Sequence, residues 1–194
     1  MFKRFMGIFL MGLVIKIMDD FIDKEIDEFK GQWNITSIFK RAILPYSLVL
    51  TIISLFLNFS EAVSGFAASY LLGMSSGLNE RLPSGLKAWQ EGLIFLLLSI
   101  YMSSVGDSLA ALLIISTIQL IDDFLDLKKD TYIDSRNLII KLGKFNSLLL
   151  TIAFFLLSIK YFPLKCFYYY SAVFLLYLLL YLGENLYRKD RCAN

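Results

Sequence analysis

Asp19-Asp20-Phe21-Ile22-Asp23 and Asp122-Asp123-Phe124-Leu125-Asp126 are nearly the same five residues, and a further aspartate, Asp27 or Asp130, follows each. The pattern D-D-F-(I/L)-D-x-x-x-D thus occurs twice, displaced by 103 residues. That period is too long for a solenoid and predicts two related halves of one bundle. On a helix, positions i, i+3 and i+7 share a face, so Asp20, Asp23 and Asp27 can converge, as can Asp123, Asp126 and Asp130. Carboxylates crowded on one face repel, and desolvation at a membrane boundary adds to the penalty. A cation must compensate. Lys16, one turn before Asp20, supplies part of the charge. A hard divalent ion fits better, because Mg²⁺ takes one or two carboxylates and completes its octahedron with water and phosphate oxygens. The expected metal ligands are therefore Asp19, Asp20, Asp23 and Asp27 in the first cluster and Asp123, Asp126 and Asp130 in the second, with a diphosphate between them. A single acidic helix end is usually a solvated face; two matching ends at equivalent positions argue for a paired site.

The elements that carry these clusters are predicted to lie in a membrane. Of the 194 residues, 57% are apolar and 19% charged, against about 45–50% and about 25% in soluble domains. The excess falls in blocks such as 43–57, 93–101, 148–159 and 168–182, the pattern of helices that satisfy their own backbone in lipid. A net charge of +2 gives no reason to expect a nucleic-acid partner. The chain has no histidine, which excludes histidine-ligated zinc and Ser-His-Asp chemistry. Cys166 and Cys192 have no metal-binding spacing, and the predicted topology puts them on opposite faces of the bilayer, where they cannot pair. Met1–Lys16 begins like a signal peptide but lacks a small-residue cleavage site and runs straight into Asp19, so it reads as retained.

Measured against the ~20 residues that cross a bilayer, the apolar blocks give seven expected spans, near 5–22, 41–58, 62–78, 88–105, 107–125, 146–161 and 165–183. The whole chain, 1–194, reads as one transmembrane domain. With the N-terminus outside, inner segments carry fourteen Lys and Arg residues and outer segments four, with Lys16 inside a span; positive-inside bias then fixes the direction. Both clusters and the C-terminus face the cytoplasm in this layout. Phe167–Tyr170 lands at the outer boundary as an aromatic belt, and Glu61 and Glu91 read as solvated helix ends. Gln119, one turn before Asp123, either faces the cluster or bonds a neighbouring helix.

The paired motifs resemble those of the UbiA superfamily of intramembrane prenyltransferases. Asp19-Asp20-x-x-Asp23-x-x-x-Asp27 matches its N-D-x-x-D-x-x-x-D signature with aspartate in the asparagine position, and Asp126-x-x-x-Asp130 matches D-x-x-x-D. Arg136 and the Leu142-Gly143 pair follow at the family's usual distances. Three helices separate the signatures, as in the family, where the second and sixth of nine helices bear them; here they are the first and fifth of seven. The family's arginine-proline is missing from Glu28–Asn34, leaving Lys24 or Lys30 as substitutes, and the Arg81-Leu82-Pro83-Ser84-Gly85 string sits in a later loop. Asp134 and Asn137 stand where glycine and serine or threonine are common.

The resemblance implies a UbiA-like all-α bundle in a bacterial or archaeal cell membrane, moving a prenyl group from an allylic diphosphate to an aromatic or lipid-like acceptor. Mg²⁺ is the implied cofactor. Asp20, Asp23, Asp126 and Asp130 are the implied catalytic residues, and Lys24, Lys129 and Arg136 the donors to the diphosphate. Aromatic faces would shield the allylic cation from water; Phe21 and Phe124 lie beside the clusters, although an aromatic there is more often packing. Two rivals use the same residues: a prenyl diphosphate cyclase, and a non-catalytic membrane protein that binds cations or a subunit. A CDP-alcohol phosphotransferase requires a D-G-x-x-A-R segment, and none is present.

Overall fold

The computed structural model describes residues 1–25, 29, 33–73, 79, 81–129 and 138–193, with the side chains of 37, 40, 126, 128, 129, 138 and 186–193 left out. Seven long helices run through the described residues: α1 (Phe2–Ile22), α2 (Ile43–Leu57), α3 (Phe59–Gly73), α4 (Ala88–Met102), α5 (Val105–Lys129), α6 (Lys144–Tyr161) and α7 (Pro163–Ala193). Each overlaps one expected span, and 74–78, the end of the third, lies outside the described residues. Short helical turns at Thr36–Phe39 and Leu138–Leu142 precede α2 and α6. Among the described residues there is no β-strand, only an isolated bridge between Arg81 and Lys87.

Val105–Leu125, Lys144–Tyr161 and Pro163–Asn185 are long and apolar enough to cross a membrane; Ile43–Leu57 and Ala88–Met102 are apolar but shorter. α1 has the length, with Lys16, Asp19 and Asp20 crowding its last two turns.

Two compact units are formed, Met1–Ala62 with Phe167–Asn194, and Val63–Cys166. In the first unit α1 and α2 are antiparallel. Ser54 Oγ near the end of α2 donates to the Gly7 carbonyl at 2.8 Å, while Ile17, Ile35 and Ile43 form a core with Trp33 and Leu180 packed on it. The helices approach closely because Gly7 has no side chain: a Cβ there would sit 3.1 Å from Asn58 Cβ. One residue, Asn58, joins α2 to α3, and its Oδ1 caps α3 by accepting the Glu61 N–H at 3.2 Å.

In the second unit, Tyr70 OH donates to Glu91 at 2.8 Å and Ser64 Oγ lies 3.0 Å from Ser103 Oγ, so α3 and α4 are also antiparallel. Ser104 Oγ caps α5 by accepting the Asp107 N–H at 3.0 Å. Leu142-Gly143 ends the turn before α6, and Gly143 has a φ of 85°, a left-handed conformation that favours glycine. Its N–H bonds the Ile139 carbonyl at 2.8 Å, and its carbonyl receives the Ser147 N–H that starts α6. The connections at Asn58, Ser103-Ser104 and Phe162 are one or two residues long.

Polarity is inverted relative to a bundle in water. α2 buries Ile43, Ser47 and Ser54 while exposing Leu48, Val49, Ile52 and Phe56. α6 buries Ser147, Thr151 and Ser158 and exposes Phe145, Leu149, Ile152 and Leu156. Water would leave such faces as large unpaired apolar patches. In hydrocarbon, small hydroxyl residues at helix contacts and leucines facing outward are the stable arrangement.

Candidate functional site: paired aspartate clusters

Asp20 is the centre of the first cluster. It is 7% exposed at the end of α1, and its two carboxylate oxygens have different partners. Oδ1 lies 3.0 Å from Lys16 Nζ, and Oδ2 accepts the Ile35 N–H at 3.0 Å. The Asn34 side chain completes the knot: its Nδ2 donates to the Asp20 carbonyl at 2.7 Å, and its Oδ1 accepts the Thr36 N–H at 2.8 Å. These bonds close the base of the segment from Asp20 to Ile35. Asp19 is exposed and shares the ammonium, with Lys16 Nζ 3.1 Å from its Oδ2. Asp23 is the half-buried residue that ends α1, its N–H bonding the Asp19 carbonyl at 3.0 Å. Lys24 is exposed, and Asp27 lies outside the described residues.

In the second cluster Asp122 is half-buried and Asp123 buried, both on α5. Asp126 and Lys129 also lie on α5, with side chains outside the described set; Asp130 and Arg136 are outside the described residues. Gln119 is half-buried. Of the expected site residues, Asp19 and Asp20 are thus brought together, around Lys16.

The duplication reaches well beyond the motif. The buried residues of α1 are Gly7, Ile8, Met11, Val14, Ile17 and Asp20. Shifted by 103 positions these become Ala110, Ala111, Ile114, Thr117, Leu120 and Asp123, and all six are buried in α5. After each motif comes a short helical turn and then a helix containing Ser-Leu-x-Leu-Thr-Ile, at Ser47–Ile52 and Ser147–Ile152. Even a local hydrogen bond repeats: Thr51 Oγ1 donates to the Ser47 carbonyl at 2.7 Å, and Thr151 Oγ1 to the Ser147 carbonyl at 2.8 Å. No family model matches the chain, and no curated protein or solved structure does. Internal similarity is therefore the comparison that the chain offers.

A donor set made entirely of carboxylates suits a hard divalent ion. Among the described residues no three Asp, Glu, Cys or His side chains form a metal-holding group. Asp19 and Asp20 already share a lysine.

Two sequence expectations are corrected at the other end of the first unit. Glu61, expected to be solvated, is 2% exposed. Arg4 forms an ion pair with it, donating from Nε at 2.9 Å, and Tyr169 OH donates to its other carboxylate oxygen at 3.1 Å. The Arg4 guanidinium also lies 5.6 Å from the centre of the Tyr168 ring. Tyr168 and Tyr169 are buried, so half of the expected aromatic belt turns inward. Glu61 sits in a run of Ala, Val, Ser and Gly, and a lone charge in such a segment signals a buried partner. In the second unit Lys165 pairs with Asp107. Glu91 is likewise bonded, accepting from Tyr70 and from Ser84.

Proposed function

We propose that the chain is an integral membrane enzyme of UbiA type, which transfers a prenyl group from an allylic diphosphate to an aromatic or lipid-like acceptor. The observation that carries this reading is the duplication: the same aspartate motif lies towards the ends of two helices, and every buried position of α1 has a buried counterpart in α5 at one register. A carboxylate cluster at a bilayer boundary is costly, and a duplicated one fits a ligand with two highly charged ends. The inverted polarity of α2 and α6, with three helices long enough to cross, supports the membrane setting.

In this reading Asp23 and Asp27 from one half, and Asp126 and Asp130 from the other, hold Mg²⁺, which when bound neutralises the leaving diphosphate. Lys24, Lys129 and Arg136 donate to its oxygens. Asp20 fixes the segment that bears Asp23, and Asp123 is its counterpart on α5. The prenyl chain lies among apolar side chains that exclude water from the allylic cation.

A second reading, a non-catalytic protein that binds cations or a subunit, is favoured by one observation: both oxygens of Asp20 are engaged internally. The two separate in a single experiment. Purified protein in nanodiscs is given farnesyl diphosphate and membrane lipid extract, and diphosphate release is followed with Mg²⁺ or EDTA. The enzyme reading expects Mg²⁺-dependent release that falls by at least about 100-fold in Asp23→Ala and Asp126→Ala, both still membrane-inserted. Full release in both variants, or none from the parent chain across allylic chain lengths, would remove it.

A further inference from the structure

At the helix ends remote from the aspartate motifs the two halves correspond again, with the charges reversed. Arg4, the third residue of α1, pairs with Glu61, the third residue of α3. Asp107, the third residue of α5, pairs with Lys165, the third residue of α7. Arg4 and Asp107 are 103 positions apart, the displacement of the motif itself. Glu61 and Lys165 each stand three residues after the single residue that closes a hairpin, Asn58 or Phe162. The N–H of that residue bonds the carbonyl of a fully buried serine in both, Ser54 at 3.0 Å and Ser158 at 2.8 Å. The first half thus has its cation on the motif helix and its carboxylate on the hairpin, and the second half has the reverse. Each pair lies within its own compact unit. The Glu61 side chain is 2% exposed and that of Lys165 12%, so a partner of the wrong sign would be met with little solvent to screen it.

Apolar packing does little to keep such halves apart. The buried stripes of α1 and α5 share one register, and α2 and α6 share Ser-Leu-x-Leu-Thr-Ile. A motif helix seated on the other half's hairpin would set Arg4 against Lys165, or Asp107 against Glu61. Like charges would then replace opposite ones at both contacts. We propose that the inverted pairs are a pairing code, whose sign decides which hairpin each motif helix takes, within one chain or between two copies. Each aspartate motif is thereby delivered to its own half, whatever the clusters bind. A chain with the same polarity in both halves keeps two ion pairs and loses the selection.

Disulfide trapping in the full chain tests this, in a Cys166→Ser/Cys192→Ser background free of other cysteines. Gly7→Cys with Asn58→Cys reports the native seating, since a Cβ at Gly7 lies 3.1 Å from Asn58 Cβ. Gly7→Cys with Phe162→Cys reports exchange, because Phe162 closes the other hairpin as Asn58 closes the first. Membranes are oxidised with copper phenanthroline, and each yield is compared with that of the parent charges. Asp107→Arg/Lys165→Glu gives both halves the first polarity and leaves Arg4 and Glu61 in place. It should raise the exchange disulfide about threefold or more. Adding Arg4→Asp/Glu61→Lys inverts the first pair as well, and should return the yield to the parent level. Distant ion pairs that act only locally would add their damage and give no such rescue. An exchange yield unchanged by Asp107→Arg/Lys165→Glu overturns the proposal. If that variant is degraded instead, the fourfold variant decides: recovery of the native disulfide upholds the code, and its loss overturns it.

Discussion

The Asp20 carboxylate accepts the Ile35 backbone N–H at 3.0 Å, tying the end of α1 to the residue just before the turn Thr36–Phe39. Both partners are buried. Asp20→Ala strands a buried donor and removes a partner of Lys16, and is expected to destabilise the protein by about 2–4 kcal/mol. Asp20→Asn keeps an acceptor for Ile35 and loses only the charge, so about half that loss is expected. Thermal unfolding in detergent should rank the parent above Asp20→Asn and Asp20→Ala last. Equal loss in both variants would show that the Ile35 bond contributes nothing.

At the other end of α1, Glu61 is the buried member of a pair with Arg4, whose side chain is 34% exposed. Removal of a buried partner usually costs about 3–5 kcal/mol; half-exposed Arg4 screens the pair, and about 2–3 kcal/mol is expected for Glu61→Ala. Tyr169→Phe deletes one donor to the same carboxylate and should cost about 1 kcal/mol. A double-mutant cycle on Arg4 and Glu61 reads the coupling directly. Zero coupling energy would reduce the contact to coincidence.

The positions of the long helices were legible because hydrophobic blocks are a strong signal, and among the described residues the seven long helices overlap those blocks, three of them being long and apolar enough to cross a membrane. The D-D-F motif was legible as a repeat of sequence. Its extension through Gly7–Asp20 and Ala110–Asp123 was not, because those stripes share burial and not residue type: Val14 answers to Thr117 and Ile8 to Ala111. Glu61 escaped for a different reason. Its partner Arg4 is 57 positions away, and a short turn beside a glutamate looks like water contact until the helices are packed. Lys16 was visible as a helical neighbour of Asp20, one turn away, but the Ile35 N–H and the Asn34 knot come from a segment with no periodicity to place it.

Gly7 and Gly12 lie on the same helix in opposite situations. A Cβ at Gly7 meets Asn58 Cβ at 3.1 Å, whereas one at Gly12 meets nothing within 4 Å. Gly7→Ala should push α1 from α2 and weaken the Ser54–Gly7 bond, destabilising by about 1–3 kcal/mol. Gly12→Ala relieves a glycine in a helix interior and should stabilise by about 0.5–1 kcal/mol. Thermal midpoints that move in opposite directions bear out the close crossing. A Gly7→Ala variant as stable as Gly12→Ala would mean the helices do not approach there.

The orientation can be tested on α7 alone. Tyr161, 62% exposed, ends α6 one residue before α7 begins, and Cys192 lies in the last turn of α7. The apolar stretch Pro163–Asn185 is 23 residues long, or about 34 Å of helix, enough for the hydrocarbon core of about 30 Å. The positive-inside bias of the Lys and Arg residues predicts a cytoplasmic Cys192 end. With Cys166→Ser leaving Cys192 as the target, and Tyr161→Cys in a chain otherwise free of cysteine, a membrane-impermeant maleimide is applied to right-side-out and inverted vesicles. Tyr161→Cys should label in the first preparation and Cys192 in the second. Labelling of both from one side would mean that α7 does not cross, and the topology that puts both aspartate clusters on the cytoplasmic face would fall with it.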